Sequence, residues 1–292
     1  MKSLSLTALI RTTTLLLVIC CSGLAGIPQR IVSTAPSITE TLFALGLGDR
    51  VVGVTIYCNY PEAARTKQRI GTYLQPNFEA ILALKPDLVI VVKNPIQLKE
   101  KLSRMGLNVL ELGDETLAGI ARSVEQIGQA TGVQDRARKL NEQIAAGLAD
   151  IQKKSQALPQ KSIMFLVSRT PGRLEALMAV GQESYLNELM QVAGGRNIFG
   201  DTSTSYPKIS IETVLARNPD VIVDMGEMSE TQLVTEEQKK AVVNLWNRQP
   251  SLKAVRTRQV YAVASDIFVV PGPRAVEAAR AFARMLHPGQ GF

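Results

Sequence analysis

The chain has 292 residues, 46% of them hydrophobic and 20% charged, with a formal net charge of +7. That is room for two α/β units or one large one, and the composition is neither that of a disordered chain nor of one that is membrane-spanning throughout. Lys and Arg are spread along the sequence with no block of five like charges, which argues against a nucleic-acid partner.

The first 25 residues carry Lys2 and Arg11, a short apolar run from Leu15 to Cys20, and small residues at Gly23 and Ala25. This pattern predicts a cleaved secretory leader, with the mature chain starting near Gly26. The alternative is a lipoprotein signal with Cys20 or Cys21 as acceptor, although neither follows a small residue. Removing the leader leaves 31 basic against 26 acidic residues and one cysteine, Cys58, so no internal disulfide is expected.

From Arg30 short apolar runs alternate with helical patterns. Strands are expected at 30–33, 51–55, 88–92 and 107–112. Helices are expected from Ser37 to Gly46, from Asn77 to Pro86, over 96–105 and over 116–131, stopped by Gly132. Ser37 with Glu40 reads as a capping box, and Cys58 as a small, partly buried apolar residue.

Residues 134–157 then predict one long amphipathic helix, with Ala137, Leu140, Ile144, Leu148 and Ile151 along one face. At ~1.5 Å per residue it is a rod of roughly 36 Å, with Gly147 its weak point. The pattern restarts after it. Strands are expected at 163–167, 221–224 and 260–264, and helices within 181–193, over 211–216 and over 231–246, where Trp246 lies in an apolar stripe. A final helix has Pro273 at its first position.

Each half contains the same phrase, NFEAILALKPDLVIV from Asn77 and SIETVLARNPDVIVD from Ser210. The predicted organisation is a leader (1–25), an N-terminal lobe (26–130), a linking helix (131–159) and a C-terminal lobe (160–292). Each lobe is a Rossmann-like α/β unit with a parallel sheet. Ligands of such sheets bind beyond the carboxyl ends of the strands, which directs attention to a cleft between the lobes.

The loops at those ends carry Tyr57 and Tyr60, Tyr73, Tyr206, and Asp266 with Arg274. The tyrosines form either a stacking platform or half-buried packing. Asp266 and Arg274 either pair with each other or meet an anionic or amide-bearing ligand, since a helix N-terminus disfavours a cation. Glu79 and Glu212, at matched positions, are either dipole-stabilising acids or a two-fold docking pair. There is no P-loop and no Gly-x-Ser-x-Gly elbow, and the one histidine, His287, is near the tail. The sequence thus offers no catalytic constellation or metal-ligand cluster for a metal-dependent hydrolase or lyase, and no fused module for a sensor or scaffold.

The opening RIVSTAPSITETLFALG, the loop YCNYP, the paired glutamate phrases and the late SDIFVVPGPR resemble class III periplasmic solute-binding proteins, most narrowly the cobalamin-binding branch, from about Arg30 to Leu286. The resemblance implies a two-lobe fold with little hinge motion that captures a corrinoid, with cobalamin as transported ligand and not cofactor. It implies a monomer, working in the periplasm with an ABC-importer permease dimer and its ATPase. Tyr57, Tyr73, Tyr206, Asp266 and Arg274 would contact the ligand, and Glu79 and Glu212 would dock onto the permease. Tyr73 and Tyr206 stand where the family often has Trp, giving a smaller and more polar platform. The alternative within the class is a haem or iron–siderophore ligand, with Tyr57 or Tyr73 as an axial group for haem.

Overall fold

The computed structural model describes residues 26–113, 116–226 and 235–292; the expected leader and the first residues of the helix expected at 231–246 lie outside the described residues. The N-terminal lobe is a five-stranded parallel sheet of β1 (Ile31–Ser33), β2 (Val51–Val54), β3 (Gln68–Arg69), β4 (Leu88–Val92) and β5 (Val109–Leu112), in the order β3-β2-β1-β4-β5. The strand order reverses between β1 and β4, and at such a switch point the loops diverge and leave a crevice.

Side-chain alternation sorts each strand onto two helical layers. Ile31, Val54, Leu88 and Ile90 face α1 (Pro36–Ala44) and α4 (Leu117–Thr131). Val32, Val89 and Val91 face α2 (Phe78–Ala83) and α3 (Leu98–Arg104). The expected capping box at Ser37 does not form. Pro36 opens α1 two residues earlier than a Ser37 cap would, Ala35 is the N-cap without a side-chain cap, and Glu40 is buried. A capping box forms instead at Thr235 and Gln238, ahead of α8 (Glu236–Trp246).

The rod is α5 (Gln134–Gln156), within a residue of expectation. It packs on α4 of the first lobe and on α6 (Tyr185–Val192) and α10 (Ala275–Leu286) of the second. Gly147 is less a weak point than a contact. A Cβ there would stand 2.8 Å from Val276 Cγ1, so the missing side chain lets α5 and α10 approach.

The C-terminal sheet departs from the all-parallel expectation. β6 (Lys161–Ser168), β10 (Val221–Asp224) and β11 (Val260–Ala262) are parallel, and β8 (Gly195–Asn197) joins β6 in parallel. β7 (Leu177–Ala179), however, is antiparallel to both β6 and β9 (Lys208–Ile209). The link 169–176 is too short for the crossover that a parallel neighbour needs, so the chain turns back as a hairpin. One face carries Ile163, Phe165, Val221 and Val223 against α6 and α10. The other carries Met164, Leu166, Ile222 and the fully buried Trp246, beside α7 (Ile211–Arg217) and α9 (Lys253–Arg256). The N-cap of α10 is Arg274, so Pro273 precedes the helix instead of opening it.

Candidate functional site

The carboxyl ends of β1, β4 and β5 open onto a slot of about 200 Å³. Pro36 and Ile38 of α1, Val92 and Leu112 at the strand ends and Ile120 of α4 form its apolar wall, and Val269–Pro271 of the C-terminal lobe close it. It therefore lies between the lobes and at the switch point of the first sheet. Tyr73 lines it, with the hydroxyl donating to the Lys93 carbonyl at 3.0 Å.

Beside the slot the loops 56–61 and 71–76 run together, joined by the Ile56 amide donating to the Gly71 carbonyl at 3.0 Å. Ile56, Tyr57, Tyr60 and Leu74 on these loops are each about half exposed, Tyr57 most at 56%. Four large, half-exposed side chains on two adjoining loops make an exposed apolar patch, the kind of surface that marks a binding site. Cys58, between the two tyrosines, points the other way. It is fully buried, 3.1 Å from Thr55 Oγ1, and burial pushes its thiol pKa up.

Arg274 and Asp266 do meet, and a third residue joins them from the other lobe. Arg274 Nη1 donates to Asp266 Oδ1 at 3.0 Å, Nε donates to Glu40 Oε2 at 2.9 Å, and Nη2 donates to Glu40 Oε1. The guanidinium also lies 4.0 Å from the Tyr60 ring centre. Local charge, without any ligand, thus accounts for a cation at this helix start, and the fork ties the two lobes together. Burial pushes the Glu40 carboxyl up, against the downward pull of Arg274. A second tie lies at α4, where Glu188 of α6 accepts the Leu117 amide at 2.6 Å. The sequence reading missed Glu40 because S-x-x-E matched a capping box. No local signal marked it, because Glu40 stands two residues from both Ile38 and Leu42 and so falls off the apolar stripe that those two share.

Tyr206 is partly buried against the C-terminal core, 3.5 Å from Ser184 Oγ, and does not line the slot with Tyr73. Glu79 and Glu212 occupy equivalent places. Each is exposed and second in its helix, behind an N-cap, Asn77 or Ser210, that accepts the third amide. A hydrogen bond with Ser210 lowers the Glu212 pKa. Among the described residues no three His, Cys, Asp or Glu side chains gather as a metal site, and no helix is long and apolar enough to cross a membrane.

The sequence matches the periplasmic binding protein family over residues 31–267. An uncharacterized ABC transporter substrate-binding lipoprotein, YvrC of Bacillus subtilis (strain 168), is 30% identical over 269 residues, covering 89% of this chain and 81% of the relative. Among solved structures, the periplasmic vitamin B12 binding protein BtuF of Vibrio cholerae is similar with a TM-score of 0.74 at 30% identity, over 89% of this chain and 97% of that one. The periplasmic heme-binding protein RhuT from Roseiflexus sp. RS-1, in apo form, has a TM-score of 0.73 at 26% identity, over 89% and 99%. With two α/β lobes, one linking helix and an apolar slot at the strand ends, this chain belongs to the periplasmic binding protein family as a class III solute-binding protein, and it is a binding protein and not an enzyme.

Proposed function

We propose that the protein captures a corrinoid, cobalamin foremost, at the inter-lobe slot and hands it to an ABC importer. The exposed apolar patch of Ile56, Tyr57, Tyr60 and Leu74 beside the slot carries this reading. The slot is smaller than the ~300–1,000 Å³ of typical ligand pockets, so a broad ring rests across its mouth on the patch, with only a fringe group inside. Tyr57 and Tyr73 supply ring contacts from the first lobe. Asp266 keeps Oδ1 on Arg274 and offers its other oxygen to an amide of the corrin fringe. Arg274 acts as the support that fixes Asp266.

Glu79 and Glu212, one per lobe and both exposed, are the docking pair for a two-fold permease with its ATPase. The protein works as a monomer. It is exported by its leader to the periplasm; the lipoprotein YvrC supports a lipid-anchored form through Cys20 or Cys21 as the alternative.

The second reading is haem. It is favoured by Tyr73 at the slot, where a phenolate could serve as axial ligand, and by the likeness to RhuT. Titration calorimetry and absorbance with cyanocobalamin and with haemin separate the two. The corrinoid reading expects saturable heat with cyanocobalamin, weakened about tenfold by Tyr73→Ala as an aromatic contact and its hydroxyl are lost. No heat with cyanocobalamin, together with a Tyr-ligated haem spectrum that Tyr73→Ala abolishes, replaces corrinoid by haem.

A further inference from the structure

A second and larger cavity, about 580 Å³, opens at the carboxyl ends of β6, β10 and β11, on the side of the sheet that faces α8. The loop after β11 separates it from the slot, since Ala262 and Val263 line the one and Val269–Pro271 the other. Its size is that of a small-molecule site. Its floor is a buried charged network that the sequence reading did not find.

Asp224, 1% exposed, accepts Trp246 Nε1 at 2.7 Å, the Gly226 amide at 2.7 Å and Arg169 Nε at 2.9 Å. Arg169, 7% exposed, donates Nη1 to the Thr170 carbonyl at 3.2 Å, while Nη2 makes no hydrogen bond to a described residue. The guanidinium is thus held at two nitrogens, with the third left for the cavity that the residue lines. Arg248 and Lys239 reach the same cavity from α8 and the turn after it, with Gln238 and Asn244 amides beside them. Lys239 is paired to Glu236 at 2.7 Å, and Arg248, exposed, pairs with no described acid.

Stability does not account for the arrangement. Burying an ion pair is no better for folding than apolar side chains of equal volume, and Asp224 alone satisfies Trp246. A guanidinium pre-set by a carboxylate, with one edge open in a ligand-sized cavity and a second arginine at the rim, is suited to oxyanion recognition. We propose that this cavity is an oxyanion subsite in which Arg169 and Arg248 bind a phosphate or carboxylate. That group belongs either to the transported ligand, which rests on the corrinoid reading above, or to a free anion.

The test uses the full mature protein, with Arg169→Lys, which keeps the charge beside Asp224 but loses the fork, and Arg248→Gln, a rim change that leaves the core intact. Cyanocobalamin, which has a phosphodiester, is titrated against dicyanocobinamide, which lacks it, and inorganic phosphate is titrated by thermal shift. A ligand-borne anion gives wild-type preference for cyanocobalamin of about tenfold or more, erased by both variants while cobinamide binding holds. A free anion gives a phosphate-dependent rise in midpoint that both variants lose, with corrinoid binding unmoved. A wild type that binds neither corrinoid removes the corrinoid reading and leaves the phosphate arm to decide the site. Variants that match wild type in both arms overturn the proposal.

Discussion

Arg274→Met tests whether the tie between the lobes is an ion pair in a dry setting. The change leaves the Glu40 carboxyl, 4% exposed, without its guanidinium. Removing one member of a buried pair costs about 3–5 kcal/mol, a large share of the ~5–15 kcal/mol that holds a typical domain together. Glu40 has an escape, because it can take up a proton. Burial already lifts its carboxyl above the ordinary 4.5, and Arg274 pulls the other way, so the variant lifts it further. The folded pKa is then above the unfolded one. Stability is fullest below the unfolded value of 4.5 and is lost as pH rises through the raised folded value. The penalty of Arg274→Met relative to wild type is therefore expected to be small near pH 5 and full at pH 8. Urea unfolding of wild type, Arg274→Met, Glu40→Gln and the double variant at both pH values measures it. The coupling energy at pH 8 should exceed ~2 kcal/mol, since the fork makes two charged hydrogen bonds to Glu40, each worth about 1.5–3 kcal/mol. An equal loss at both pH values, or a coupling below ~1 kcal/mol as for exposed pairs, refutes the reasoning.

Glu79→Ala with Glu212→Ala should leave ligand affinity unchanged and weaken binding to the permease in nanodiscs, less so as salt rises, since exposed charges are screened within ~8–10 Å at ~0.1–0.15 M; full permease binding by the double variant would end the docking assignment. Gly147→Ala should destabilise by about 1–3 kcal/mol in spite of better helix propensity, because its Cβ would press on Val276. Val276→Ala should restore most of that loss in denaturant melts, and a Gly147→Ala protein more stable than wild type would contradict the close approach. His287 is 5% exposed, and burial lowers its pKa below 6.5, helped by Lys161 and opposed by a hydrogen bond with the Ala193 backbone. Its contribution is therefore present above pH 6.5 and lost as pH falls towards the lowered folded value. His287→Phe should flatten that slope in melts from pH 5 to 8, and an unchanged slope would assign it elsewhere.

Much of the architecture was legible because local rules and tertiary contacts agree. The 3.6-residue stripe of α5, the glycine stop at Gly132, with φ at +74°, and the apolar runs of β4 and β10 each express one period or one backbone need, which a sequence displays directly. The repeated glutamate phrase likewise produced two helices with Glu79 and Glu212 in the same second position. Element type, lobe order and the matched acids were thus determined by the sequence itself.

What it could not display is which distant groups meet. S-x-x-E at 37–40 satisfies the capping-box pattern, yet Pro36 starts the helix earlier and a guanidinium 234 residues away claims the glutamate. Asp224 ends an apolar strand and Arg169 opens a turn, and neither position signals that a hairpin and α8 will enclose them beside Trp246. Tyr73 and Tyr206 look equivalent in the sequence, but one lines the slot and the other packs on the C-terminal core. Periodicity reports how a segment faces its own layer, and it is fixed by bonds a few residues apart. The tie across the lobes and the network of Asp224, Arg169 and Trp246 join residues 22 to 234 apart in the chain, and such contacts exist only once the elements that carry them have packed together.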